Sequence, residues 1–393
     1  MIAELEKPLD QSQEKTRQEI LLASKYEAVG IDRFSPSSLS AFRTNRMRWA
    51  LRYALEFKSM YPAPAMYRGN AIERAIKEEL GDLPDGLERA IRYLQFDVAK
   101  SILRLYPNLP EGWEVNLIAS KLSLFDRDKF IGIISDVFEL LPKINPTLPK
   151  WIDSEFPSKI IKKIGKQYMI IDETYPESLE YFRSLGLLVY QHKIERDEIF
   201  GLPIKFVGYA DFVSKVNHIG YDLKTREKKK DITLEEKCQM SAYADLTGLD
   251  WVVVMVNPIS ATAKKETEII AMAKSGLGSK EIAKSWKDSQ GKGTTEKYVL
   301  ELIEKANLGK IGKVEKLNTY KLSKSEVETY NQWNRATAEA INFVIKNSRK
   351  ASLIEDLKKQ CIANPEDMFL DPHEKEKIRE IWGLDVEGED EDC

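Results

Sequence analysis

The sequence predicts an α/β protein in which helices flank a central mixed sheet, and three observations carry this prediction. The β-branched and aromatic run Phe206–Val213 is typical of a strand, and after a turn containing Asn217 the segment Tyr221–Thr225 predicts the returning strand of a β-hairpin. Trp251–Val256 is a continuous apolar run of the kind found in buried parallel strands. The segment 234–246 between them has a helical pattern. The hairpin and the buried strand are therefore expected to be joined by a crossover helix.

Composition indicates a globular, water-soluble chain. Of its 393 residues, 42% are apolar and 31% are charged, and no apolar run reaches membrane-spanning length. The N-terminal residues are too polar for a signal peptide, so we expect no membrane contact and a cytoplasmic location, in a host cytoplasm if the source is viral. The three cysteines are widely separated and predict neither disulfides nor a zinc cluster.

Net charge leaves a nucleic-acid partner open. The formal charge is −3, but six acids fall within the last nine residues, and the rest of the chain carries +3 without them. That balance permits a local basic groove. The predicted divisions are a polar arm (1–30), N-terminal helices of a catalytic domain (31–82), a mainly helical insertion (83–186), a catalytic core (187–260), a helical C-terminal region (261–384) and an acidic tail (385–393).

The first core helix is predicted to begin at Ser35, which can cap it, with Pro36 at its first position. Four arginines follow within ten residues and are expected on this one helix: Arg43, Arg46, Arg48 and Arg52. Arginines so placed can bind phosphates or form a solvated face, and the sequence leaves both open.

A second helix is expected around residues 67–80. Ile72, Ile76 and Leu80 form its apolar stripe, and Glu73 lies beside that stripe. Gly69, one turn earlier, lacks the side chain that would cover Glu73. Glu73 is therefore either a site carboxylate or a surface residue paired with Lys77.

The predicted hairpin holds an unusual set of charges. Asp211 interrupts an apolar strand, and Asp222 and Lys224 share one face of the returning strand because side chains alternate. Carboxylates of this kind bind Mg²⁺, and a nearby lysine can orient or deprotonate an attacking water or neutralise charge in a transition state. Gln239 and Tyr243, four residues apart on the following helix, place two polar groups near the hairpin.

This ordered set resembles the active-site core of the PD-(D/E)XK nucleases, whose fold is restriction-endonuclease-like, and is most similar to their RecB-like exonuclease branch. The resemblance rests on Gly208 and Asp211, on Asp222-Leu223-Lys224, and on the Gln239 and Tyr243 spacing. It implies Mg²⁺, for which Mn²⁺ can substitute, held by Glu73, Asp211, Asp222 and the Leu223 carbonyl. Glu73 fits a G-x-x-x-E pattern found in branches akin to lambda exonuclease. The catalytic set implied is Glu73, Asp211, Asp222, Lys224, Gln239 and Tyr243.

Some RecB-like nucleases carry an iron–sulfur cluster. The position of its first cysteine corresponds here to Thr44–Met47, which contains none, and only two cysteines lie near the C-terminus. The chain therefore resembles the cluster-free members, and no iron–sulfur cluster is expected.

The resemblance implies exonuclease action on DNA ends in recombination, repair or phage DNA processing. Residues predicted to contact DNA are Arg43, Arg46, Arg68, Arg226, Lys228, Lys229 and Lys230. Two alternatives stay open: a catalytically silent DNA-binding or assembly subunit, paired with a helicase or a single-strand annealing protein, and an endonuclease specific for branched DNA. The sequence does not indicate an oligomeric state.

Overall fold

A computed structural model describes residues 31, 33–106, 114–123, 126–144, 148–227, 231–259, 261–288, 291–307, 316–347, 355, 365–367 and 369–384. The chain is a mixed α/β protein with a six-stranded mixed sheet flanked by helices, as the sequence predicts. The predicted N-terminal arm and acidic tail lie outside the described residues. The strands are β1 (Arg33–Phe34), β2 (Val189–Arg196), β3 (Lys205–Ser214), β4 (Ile219–Thr225), β5 (Asp250–Val256) and β6 (Leu317–Lys321).

The described helices fall into three groups along the chain. Before the sheet come α1 (Pro36–Thr44), α2 (Arg46–Trp49), a π-helical turn (Ala50–Ala54), α3 (Pro64–Leu80), α4 (Gly86–Leu103), α5 (Val115–Leu122), α6 (Arg127–Ile144) and α7 (Phe156–Ser184). The crossover helix α8 (Leu234–Thr247) joins β4 to β5. After β5 come α9 (Ala261–Lys274), α10 (Ser279–Ser285), α11 (Glu296–Asn307), α12 (Lys324–Asn347) and α13 (Pro372–Trp382).

The sheet confirms the hairpin and the crossover. β3 and β4 are antiparallel, and Phe212 pairs with Tyr221. β4 and β5 are parallel, with Asp222 opposite Val253, because α8 carries the chain back across the sheet. The strand β6, which the sequence analysis missed, pairs antiparallel with β5.

One edge of β3 is shared by two strands that do not meet. β1 pairs with residues 205–206 of β3 and β4 pairs with residues 212–214, while β2 occupies the other edge along most of its length. Among the described strands, none pairs with residues 207–211 on the first edge. The sheet is therefore split beside Asp211.

Two hydrophobic cores lie on opposite faces of the sheet. One holds α1, α2, α8 and α12, with Trp49, Met240 and Ile341 fully or almost fully buried. The other holds α3, α4, α6 and α7, which pack on β4 and β5 through residues such as Leu223 and Val254. The helices of segment 83–186 thus form one layer of the fold.

The four N-terminal arginines do not lie on one helix, so that expectation was wrong. Ser35 caps α1 as predicted, accepting from the Ser38 N–H at 3.1 Å. However, Asn45 adopts an extended conformation (φ −159°), ends α1 and caps α2 through its side chain. Arg48 therefore lies on α2 and Arg52 on the π-helical turn. In the described part of the chain, no helix has both the length and the apolar character required to cross a bilayer.

Candidate active site at the split in the sheet

The two hairpin carboxylates sit where β3 and β4 separate. Asp211 Oδ2 accepts a hydrogen bond from the Leu223 N–H at 2.8 Å, so a side chain takes the place of a strand partner there. Asp222, one residue before Leu223, is 3% exposed. The structure thus brings together the two acids that the sequence singled out, although eleven positions separate them.

Lys224 and Gln239 both bind Asp222. The Lys224 ammonium donates to Asp222 Oδ1 at 2.9 Å, and Gln239 Nε2 donates to the same oxygen at 3.3 Å. Asp222 Oδ2 lies 2.8 Å from Lys224 Nζ but outside hydrogen-bonding geometry, and this buried oxygen has no hydrogen-bond partner in the described part of the protein. The Lys224 ammonium is thus the cation that balances the charge of this buried carboxylate.

The charges at this site perturb one another. Burial, together with the negative charge of Asp222, raises the pKa of Asp211 to about 7. Burial likewise raises the pKa of Glu73 well above its usual range, and Asp211 adds to this effect. Burial lowers the pKa of Lys224, but the Asp222 and Asp211 carboxylates outweigh it and leave that pKa raised. Glu73 is therefore close enough to interact electrostatically with the hairpin charges, and Lys224 is a cation at neutral pH.

Glu73 and Gln239 reach the site from opposite faces of the sheet. Glu73 lies on α3, whose Ile72 and Ile76 belong to the core shared with α7. Gln239 lies on α8, whose Met240 belongs to the other core. Groups from two faces meet here because the sheet is open between β3 and β4.

Tyr243 explains the glycine before Asp211. Its ring lies so close to Gly208 that a β-carbon there would be 2.4 Å from Tyr243 Cε1. The Tyr243 hydroxyl donates to the Tyr209 carbonyl at 3.1 Å, on the strand that the split leaves unpaired, and its ring lies 4.8 Å from that of Trp251. Burial raises the pKa of Tyr243. Tyr243 therefore holds the helix against the open edge of β3.

The donor set fits Mg²⁺ in part. Asp211 and Asp222 offer carboxylate oxygens, and Asp222 Oδ2 accepts no hydrogen bond from a described residue, although the Lys224 ammonium lies 2.8 Å from it. The described residues contain no group of three or more His, Cys, Asp or Glu side chains arranged to hold a metal ion. Mg²⁺ commonly completes its shell with water and substrate oxygens, so two carboxylates are a sufficient protein contribution.

Three of the predicted DNA contacts are engaged inside the protein. Arg43 pairs with Glu235 at 2.6 Å, and Arg226 pairs with Glu236 at 2.6 Å. Arg68 is 4% exposed and donates to the Thr225 carbonyl at 2.7 Å. These positions favour structural roles for the three arginines. By contrast, Arg46 is exposed, with its guanidinium 5.0 Å from the centre of the Phe42 ring. The predicted contacts Lys228, Lys229 and Lys230 lie outside the described residues.

A cleft of ≈ 1010 Å³ lies beside α8, and Glu73, Asp211, Asp222 and Lys224 are not among the residues that line it. Gln239 and Tyr243 line it, together with the first turn of α1 and residues 207–209 of β3, which are paired with β2 on one edge only. Glu235 and Glu236 also line it, and the arginine pairs described above neutralise both. Arg43 and Arg226 thus reduce the negative charge of the cleft.

Tyr190 is a site neighbour that the sequence analysis missed. It lies on β2, and burial with the charges of Glu73 and Asp211 raises its pKa to about 12. The next residue, Gln191, has a positive φ of 49° and lies where β2 would pair with Asp211. A backbone irregularity opposite Asp211 leaves no simple sequence signal, because glutamine is not a residue that favours this conformation.

Comparison of the chain with protein-family models, with curated proteins and with solved structures found no match.

Proposed function

We propose that this protein is a Mg²⁺-dependent DNA nuclease with a restriction-endonuclease-like PD-(D/E)XK core, acting as a RecB-like exonuclease on DNA ends. The observation that carries the proposal is the cluster of Asp211, Asp222 and Lys224 at the split in the sheet, where two buried acids and one lysine share a single site. A chain that only needed to fold would gain little from it, because burying like charges together costs free energy.

Each residue has a chemical task in this proposal. Asp211 and Asp222, with Glu73 and the Leu223 carbonyl as further oxygens, would hold the metal ion. The bound Mg²⁺ supplies charge stabilisation at the scissile phosphate and lowers the pKa of a bound water. Lys224 is cationic, so it orients the attacking water and neutralises charge developing on the phosphate. Neither task requires Lys224 to accept a proton from the water.

The helix α8 completes the site. Gln239 fixes the orientation of Asp222 through its hydrogen bond, and Tyr243 fixes the helix on β3. Both side chains also line the cleft, so a DNA strand in that cleft would contact Gln239, which is hydrogen-bonded to Asp222. Arg33 and Lys58, which line the cleft, provide positive charge for the phosphate backbone of the DNA.

Degradation of linear duplex DNA, blocked at the 5′ or the 3′ end, tests the proposal. Wild type is compared with Lys224→Ala, and with Lys215→Ala as a matched control, since Lys215 is exposed just beyond β3. We expect digestion with Mg²⁺ or Mn²⁺, none with EDTA, and loss in Lys224→Ala only. A block at one of the two ends should protect the DNA from digestion, and the end at which the block protects gives the polarity of the exonuclease. Cleavage of circular duplex would identify an endonuclease instead.

A binding-only subunit is the second candidate, and one observation favours it. Lys224 is paired with Asp222 at 2.8 Å, so the carboxylate that a metal ion would need is already neutralised. In that case wild type would bind DNA and leave linear and circular substrates intact at every Mg²⁺ and Mn²⁺ concentration. Lys224→Ala would then differ from wild type in stability alone.

A further inference from the structure

A small three-helix unit is inserted between β5 and β6. Its helices α9, α10 and α11 pack around a core of their own, separate from the two cores of the main sheet. The buried core residues are Ile269, Ile282, Trp286, Val299 and Leu302. The Trp286 indole N–H donates to Glu268 at 2.8 Å, which fixes the end of α10 against α9. The unit therefore presents its helices in a defined arrangement.

The two ends of this unit meet beside the proposed active site. Val256, five residues before α9, pairs with Leu317 at the start of β6. Val256 also lies opposite Thr225, the residue after Lys224, because β4 and β5 run parallel. The unit thus leaves and re-enters the sheet at the end of the strands that carries the catalytic lysine.

The first two helices form a helix-turn-helix. α9 and α10 are joined by four residues, 275–278, in which Gly276 has a φ of +95° that only glycine adopts without strain. Two helices joined by a short glycine-containing turn are a common means of presenting the second helix to the DNA major groove. The second helix here is α10.

The outer face of α10 is basic. Lys280 and Lys284 are exposed and lie one turn apart, opposite the buried Ile282. Lys287, also exposed, follows Trp286, the residue that ends the helix. The one acid on α10, Glu281, is turned back to accept from the Gly278 N–H at 2.9 Å. None of the three lysines forms an ion pair with a described residue.

This arrangement carries a small structural cost. Like charges one turn apart on a helix lower its stability by about 0.2–0.5 kcal/mol. The outer face of α11 is different, because exposed Glu301 and Glu304 alternate there with Lys297 and Lys305. The basic character is therefore specific to α10 and not a general property of the unit.

We propose that the α10 face formed by Lys280, Lys284 and Lys287 binds the phosphate backbone of duplex DNA and holds the substrate beside the site at the split in the sheet. The proposal rests on the proposed nuclease function for its choice of DNA as the partner. Duplex is chosen over single strand because the major groove of a duplex is wide enough to admit a helix.

The test is fluorescence anisotropy of the full chain with a labelled duplex of about 30 base pairs in EDTA, measured at several salt concentrations. Lys280→Glu/Lys284→Glu is compared with Lys297→Glu/Lys305→Glu, which changes the net charge equally within the same unit. We expect the α10 variant to bind at least tenfold more weakly, and the slope of log affinity against log salt to fall by about 1.8, since each phosphate contact contributes about 0.9. The α11 variant should bind as wild type does. Circular dichroism confirms that both variants are folded.

Equal weakening by the two variants, or no effect of the α10 variant on duplex binding, overturns the proposal. If the α10 variant binds single-stranded DNA more weakly but duplex DNA as wild type does, duplex is not the ligand of this face. Failure of the nuclease function is separate, because binding in EDTA requires no cleavage. If Lys224→Ala and wild type degrade nothing while the α10 variant alone loses duplex binding, the nuclease proposal fails and the inference on α10 stands.

Discussion

Replacing Gly208 by alanine tests the packing that holds the candidate site together. The new β-carbon would lie 2.4 Å from Tyr243 Cε1 and 3.0 Å from its hydroxyl, well inside van der Waals contact. Tyr243 has little room to move, because it is 3% exposed, hydrogen-bonded to Tyr209 and packed against Trp251. Either α8 or β3 must therefore shift.

The expected magnitude is the difference of two effects. Overpacking of this kind costs about 1–3 kcal/mol. Replacing a strand glycine by alanine recovers about 0.5–1 kcal/mol of backbone entropy, because glycine loses more freedom on folding. Gly208→Ala should lower the free energy of unfolding by about 1–2 kcal/mol. A shift of α8 also displaces Gln239 from Asp222, so any nuclease activity should fall further than stability does.

Urea denaturation followed by circular dichroism measures the effect. Gly69→Ala is the matched control, because a β-carbon there meets no atom within 4 Å and alanine favours a helix. To assign the effect to the Tyr243 ring, Gly208→Ala is also introduced into the Tyr243→Ala variant. There, Gly208→Ala should not lower the free energy of unfolding any further. The reasoning is refuted if Gly208→Ala is as stable as wild type, or if its cost persists without the Tyr243 ring.

Three further predictions concern ionisable side chains with partners inside the protein. Glu374 is fully buried and pairs with the partly exposed Arg48 and Arg52, so Glu374→Ala should lower the free energy of unfolding by about 1–3 kcal/mol in urea denaturation. The exposed control Glu380→Ala should change it little. Burial lowers the pKa of His373, whose Nδ1 accepts a hydrogen bond from the Met60 N–H at 2.9 Å. Its contribution to stability should therefore be complete above pH 6.5 and be lost as pH falls through the lowered pKa. His373→Asn should reduce the difference between the free energies of unfolding measured at about pH 7.5 and about pH 5.5. Arg68→Met should cost about 2 kcal/mol of stability and leave the salt dependence of DNA binding unchanged, and a reduced salt slope would restore the sequence-based prediction that Arg68 contacts DNA.

Local signals account for what the sequence predicted correctly. The hairpin follows from strand alternation around a turn, and the start of α8 follows from a capping box in which Thr233 accepts from the Glu236 N–H. The start of α12 has the same origin, with Ser323 and Glu326 bonded reciprocally. Each of these features depends on residues within a few positions of one another, so the sequence alone determines it.

The errors concern partners that are distant in sequence. Arg43 pairs with Glu235 across 192 positions, and no local pattern distinguishes such an arginine from one that binds phosphate. The strand β6 has the sequence Leu-Asn-Thr-Tyr-Lys and pairs with β5 alone among the described strands, so its mixed polarity resembles a loop. The break at Asn45 was missed because asparagine is tolerated inside helices, although it favours caps.

The split in the sheet explains the sequence spacing of the candidate site residues. Gly208 faces α8 and makes room for Tyr243, while Asp211, three positions later on an alternating strand, points the other way, toward the face that carries α3 and Glu73. Tyr243 fixes α8, and Gln239, one helical turn earlier, then reaches Asp222 on β4. A continuous sheet would separate these two sets of side chains, and only the open edge between β1 and β4 lets them share one electrostatic environment. The glycine, the two acids, the lysine and the Gln239–Tyr243 pair therefore form a single geometric unit, in which a change at any one position alters the surroundings of Asp222.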